Sequence, residues 1–157
     1  MGLERRTANK RRPTFPIIFF LWGEIVSDWT HIAGIVRIDQ IPIGVRQLTE
    51  ENIRAMFAEG APIGSEGGLT FVATKTQVIE PTGFAAIWGS VSITGDLRDF
   101  SDKKQVEEWL QGLPSKLKEH QALIRNAVIN IDVEYGPCVV VVWNPRTDAF
   151  TIIDIPA

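Results

Sequence analysis

The most regular pattern of hydrophobic and polar residues lies near the end of the chain. Residues 129–135 alternate apolar and polar side chains, which predicts a strand with one buried and one solvent-facing side. Residues 138–143 are apolar on both faces, which predicts a central strand of the sheet, and residues 149–155 predict a third strand. Turn-forming residues separate these three segments, so the pattern predicts an antiparallel meander.

The rest of the chain alternates between strand-like and helical patterns. Strands are predicted at residues 15–26, 31–38, 69–79 and 84–94, and helices at 50–59, from 102 to about 112, and from 114 to about 125. Thr49 precedes two glutamates and can cap the first helix. Gly112 and Pro114 predict the end of the second helix, and the glycine-rich residues 60–68 predict a surface loop.

The predicted element order is β-β-α-β-β-α-α-β-β-β. Helices interspersed with hairpin-connected strands are typical of the α+β class, so we expect a mainly antiparallel sheet with helices packed on one face. The length of 157 residues favours one such domain, which we expect over residues 14–157. Residues 1–13 are expected to form a basic, disordered arm.

The near balance of 16 basic and 19 acidic residues conceals a charge asymmetry. The arm carries +4 and the remaining residues carry −7. An arm of this charge predicts contact with an anionic partner such as nucleic acid. The basic residues of the arm are Arg5, Arg6, Lys10, Arg11 and Arg12.

Two alternatives for the N-terminus concern membranes and secretion. A signal peptide or anchor over residues 1–22 is a minority interpretation, because the apolar run at 15–22 is short and acidic residues follow it closely. No apolar run approaches the ~20 residues of a membrane-spanning helix.

The single cysteine, Cys138, excludes an internal disulfide framework and cysteine zinc clusters. We therefore expect a cytoplasmic protein with no cofactor and no metal.

Few residues indicate chemistry. His31 and His120 are the only histidines and are weak catalytic candidates, since no nucleophile or metal-binding motif surrounds either one. Asp132 and Glu134 share one face of the predicted strand, about 7 Å apart, and form an acidic surface. Solvation of an exposed strand face is the simpler explanation of this pair.

Three hypotheses for function remain open. The first is a non-enzymatic interaction module, such as an inhibitor, an immunity-type protein or a virus or phage accessory protein, which binds a protein partner through Asp132 and Glu134. The second is a small hydrolase-like enzyme that uses His31 or His120 with a carboxylate. The third is a nucleic-acid-associated protein that uses the basic arm. An exposed sheet edge would also allow a homodimer.

Overall fold

The computed structural model describes residues 27–40, 47–79 and 85–156. Its secondary-structure elements, in chain order, are β1 (Trp29–Gln40), α1 (Glu50–Ala58), β2 (Ile63–Gly64), β3 (Gly67–Gly68), β4 (Thr70–Ile79), β5 (Ala85–Arg98), α2 (Lys103–Glu119), β6 (Ala122–Val133), β7 (Cys138–Asn144) and β8 (Ala149–Ile155). The basic arm and the strand predicted at residues 15–26 lie outside the described residues.

The larger sheet has six strands in the order β4-β5-β1-β6-β7-β8. Every neighbouring pair in it is antiparallel. The predicted α+β class with a mainly antiparallel sheet is therefore confirmed. The short strands β2 and β3 form a separate hairpin within the segment predicted as a loop. Within the described ranges, neither helix is long and apolar enough to cross a membrane.

The hydrophobic core lies between the two helices and one face of the six-stranded sheet. Alternate residues of the strands, such as Val36, Ile93 and Ile129, are fully buried against Phe57 of α1 and Leu110 of α2. This spacing follows from the period of two in a strand, which sends every second side chain to the same side.

The start of α1 agrees with its prediction. Thr49 is the N-cap and accepts a hydrogen bond from the Asn52 amide, while the Asn52 side chain accepts one from the Thr49 amide. Glu50 and Glu51 occupy the first turn, where carboxylates interact favourably with the helix dipole. Local capping chemistry alone identified this boundary.

The prediction of two helices between residues 102 and 125 was wrong. One helix, α2, continues through Gly112 and Pro114 and ends at Glu119, and β6 begins soon afterwards. The apolar stripe that includes Leu113 and Leu117 is buried on both sides of the proline. Burial of each such leucine contributes about 1.5–3 kcal/mol, which together outweighs the roughly 3 kcal/mol cost of an interior proline.

Candidate functional site

The side of the six-stranded sheet that points away from the helices is exposed in the described part of the chain, and we call it the open face. On β1 it comprises Trp29 and every second residue up to Asp39. Of the nine large hydrophobic side chains that are exposed among the described residues, seven lie on this face. They are Ile35, Val72, Trp88, Leu123, Val128, Ile153 and Ile155.

An apolar band crosses the middle of the open face. We define it by Val72, Ile35, Val128, Val140, Val142 and Ile153. The register aligns these side chains, since Ile35 pairs with Val128, and Val128 pairs in turn with Val142. Val72, Ile35 and Val128 expose 56%, 46% and 41% of their surface. The band therefore clusters apolar side chains on both sides of Ser92, which lies on β5 between Val72 and Ile35.

One end of the open face is acidic. We call it the acidic end and define it by His31, Asp96, Asp132 and Glu134, which line a shallow cavity of about 400 Å³ together with Trp29. His31 pairs with Asp96 on one side and with Asp132 on the other. Its Nδ1 lies 2.6 Å from Oδ1 of Asp96. Cross-strand pairing thus brings residues from three strands and the turn after β6 into one site.

Trp29 is fixed at the border of the acidic end. The guanidinium carbon of Arg98 lies 5.9 Å from the centre of the Trp29 ring, within the range of a cation–π contact. The same guanidinium donates hydrogen bonds to Ser27 and forms an ion pair with Glu66. Because several contacts orient Arg98, the indole ring forms a fixed wall of the cavity.

The opposite end of the open face carries two arginines. We call it the arginine end and define it by Arg37 and Arg125, both of which are exposed. Arg125 forms an ion pair with Asp39 at 2.7 Å. An irregularity in the pairing after Arg37 leaves two successive exposed residues, Arg125 and Asn126, on β6. The open face is therefore acidic at one end, apolar in the middle and basic at the other end.

The structure separates the two histidines. The ring of His31 lies at the acidic end, whereas His120 is the C-cap of α2. The His120 carbonyl accepts a hydrogen bond from the side chain of Gln40. Gln40 is nine residues after His31 on β1, so the two residues are about 30 Å apart along the strand. His31, Asp132 and Glu134 come together as one site, and His120 is not part of it.

Sequence reasoning missed Asp96. It lies within β5, beyond the end of the strand predicted at residues 84–94, and contacts a histidine that is 65 residues away along the chain. No local signal identifies such a contact, because it depends on the register of β1 against β5. The five basic residues of the arm lie outside the described residues, so nucleic-acid binding through them stays a prediction.

The pair of His31 and Asp96 at the acidic end is exposed to solvent. The side chains of His31 and Asp96 are 52% and 67% exposed, so their pair is solvated, and solvent screening weakens its electrostatic effect. Among the described residues, no group of three His, Cys, Asp or Glu side chains could hold a metal ion.

The described residues form an α+β fold in which one face of the larger sheet is exposed. A scan against protein-family models, a search of curated proteins and a search of solved structures each found no match. The function is therefore argued from the surface itself.

Proposed function

We propose that the protein is a non-enzymatic interaction module that binds a protein partner on the open face. The observation that carries this proposal is the concentration of exposed apolar side chains on one sheet face. Large contiguous apolar patches are rare on monomeric soluble proteins, and they mark interaction sites. An inhibitor, an immunity-type protein or a virus or phage accessory protein would use such a surface. We place this module in the cytoplasm, where the Cys138 thiol would stay reduced.

The acidic end defines the chemistry that the partner must bring. Asp96, Asp132 and Glu134 attract lysine or arginine side chains, and the neighbouring apolar band accommodates aliphatic groups. Oε2 of Glu134 is buried and accepts no hydrogen bond within the described residues. Because solvent does not reach this oxygen, the basic groups of a partner would contact the exposed carboxylates of Asp96 and Asp132 instead. The partner surface is thus expected to be apolar with a basic border.

A double charge reversal tests the proposal. The Asp132→Lys, Glu134→Lys variant should lose a partner that the wild-type chain captures from cells expressing the protein. The Glu108→Lys, Glu119→Lys variant is the matched control, because it makes the same charge change on exposed residues of α2. Both variants should retain the wild-type circular dichroism spectrum. A set of captured proteins that is identical for the wild type and both variants would contradict this function.

One observation favours a second candidate, a small hydrolase-like enzyme that uses His31. The contact between Nδ1 of His31 and Asp96 orients the ring, so its Nε2 would be the nitrogen that exchanges protons with a substrate. His31→Gln should then abolish any turnover found by substrate screening, while His120→Gln should leave it unchanged. Full activity of the His31→Gln variant would exclude this role.

A further inference from the structure

We infer that the open face binds a second copy of this chain, so that two sheets pack face to face in a symmetric dimer. This inference rests on the proposed function and names the partner. Homodimers form predominantly around a two-fold axis, which requires the shared surface to be complementary to itself. The size, apolar content and charge distribution of the open face meet that requirement.

The open face is large enough for a stable interface. Six strands that are about 4.8 Å apart give a width of about 29 Å, and the seven residues of β7 and of β8, the shortest strands of this sheet, give a length of about 24 Å. The resulting area is on the order of 700 Å², which is close to the roughly 800 Å² that each partner contributes to a standard protein–protein interface. A smaller patch would not bind a second copy stably.

The apolar band occupies the place that the centre of such an interface requires. Aligned sheet packing places the two sheets about 10 Å apart and rotates them by about 30°, so that their inward side chains interdigitate. Branched side chains such as Ile35, Val128 and Val142 are suited to this packing. The charged groups lie at the two ends of the band, where an interface is normally polar and solvent-accessible.

The charges select one of two symmetric arrangements. A two-fold axis that runs along the strands would stack the two acidic ends on each other and is disfavoured by like-charge repulsion. An axis perpendicular to the strands, lying between the sheets, reverses the strand direction and places the acidic end of one copy on the arginine end of the other. The axis then passes near Gly34, midway between His31 and Arg37 on β1.

This arrangement predicts specific ion pairs. Ile129 is the residue of β6 that pairs with Gly34, and both Asp132 and Asn126 are three residues from it. The two-fold axis therefore brings Asp132 over Asn126 and Arg125 of the second copy. Arg37, on the neighbouring strand, is placed near Asp132 and Asp96 of the second copy. Its long side chain is able to bridge two sheets that are about 10 Å apart.

Charge reversal in separate chains tests the inference. Full-length wild-type protein should form a dimer by sedimentation equilibrium at about 100 μM, a concentration that detects micromolar association. Arg37→Glu alone and Asp132→Lys alone should each weaken the dimer by roughly tenfold or more, because each variant opposes like charges. An equimolar mixture should associate to within about threefold of the wild type, because both contacts become complementary again.

A matched control reverses an ion pair elsewhere. Lys104 and Glu108 form an exposed pair at 3.2 Å on α2. The Lys104→Glu, Glu108→Lys double variant should form the dimer with the wild-type dissociation constant. Isotope labelling of one partner, read by native mass spectrometry, should show that the mixed Arg37→Glu and Asp132→Lys sample contains heterodimers in excess of both homodimers.

Three results would overturn the inference. The full-length chain could be monomeric, or it could form a dimer that neither reversal weakens, as expected for pairing at the edges of the sheet. It could also associate only after residues 1–26 are removed, which would assign the open face to the chain's own N-terminal residues. If a monomeric chain still captured a protein in a manner sensitive to Asp132 and Glu134, the inference would fail while the proposed function stood.

Discussion

Replacement of Ile35 by lysine tests how much the apolar band contributes to binding. Ile35 exposes 46% of its surface. Full burial of an isoleucine contributes about 1.5–3 kcal/mol, so covering the exposed half contributes about 1 kcal/mol. Because a two-fold dimer contains the residue twice, the loss is about 2 kcal/mol, or roughly 30-fold in the dissociation constant, before the added lysine charges are counted.

The assay is sedimentation equilibrium of Ile35→Lys beside Ile63→Lys. Ile63 is 72% exposed but lies on β2, outside the open face, so its replacement should leave the dissociation constant unchanged. Urea unfolding should show that both variants remain folded. Association of Ile35→Lys within threefold of the wild type, or an equal loss in Ile63→Lys, would refute the reasoning.

Three further predictions concern the stability of the fold, and urea unfolding monitors all three. Gln40→Met should lower the free energy of unfolding by about 2–4 kcal/mol, because it removes two hydrogen bonds of the buried amide. In the wild type this amide accepts a hydrogen bond from the Leu48 N–H at 2.9 Å and donates one to the His120 carbonyl at 2.7 Å. A loss below about 0.5 kcal/mol would contradict that role. Gly34→Ala should lower the free energy of unfolding by about 1–3 kcal/mol, because its methyl group would meet a backbone oxygen of β6 at 2.6 Å. Gly112→Ala should raise it by about 0.5–1 kcal/mol, because the added methyl group meets nothing within 4 Å in the helix. Equal changes in the free energy of unfolding for Gly34→Ala and Gly112→Ala would show that β1 and β6 do not lie as close together at Gly34 as the structure has them.

The parts of the fold that the sequence predicted well depend on local chemistry. The cap at Thr49, the alternation within β6 and the apolar run that predicted β7 all act within a few residues. The two-helix prediction failed because Pro114 dominates the local pattern, whereas the burial of Leu113 and Leu117 decides the outcome. Tertiary packing outweighs helix propensity there.

The candidate site could be predicted only in part. The strand pattern placed Asp132 and Glu134 on one face, but nothing in the sequence placed His31 beside them. That placement depends on β1 lying between β5 and β6, which brings Asp96 beside His31. The arginine end has the same origin, because cross-strand pairing alone brings Arg125 near residues more than 80 positions earlier in the chain.

The central claim, that the open face is the binding surface, is tested most directly by the reactivity of the Cys138 thiol. Cys138 is the only cysteine of the chain and lies half-buried at the start of β7, on the open-face side. Its alkylation rate, measured by intact mass, should fall severalfold as the wild-type protein associates and should stay constant for Ile35→Lys. An alkylation rate that is the same in the free and the bound protein would contradict the claim.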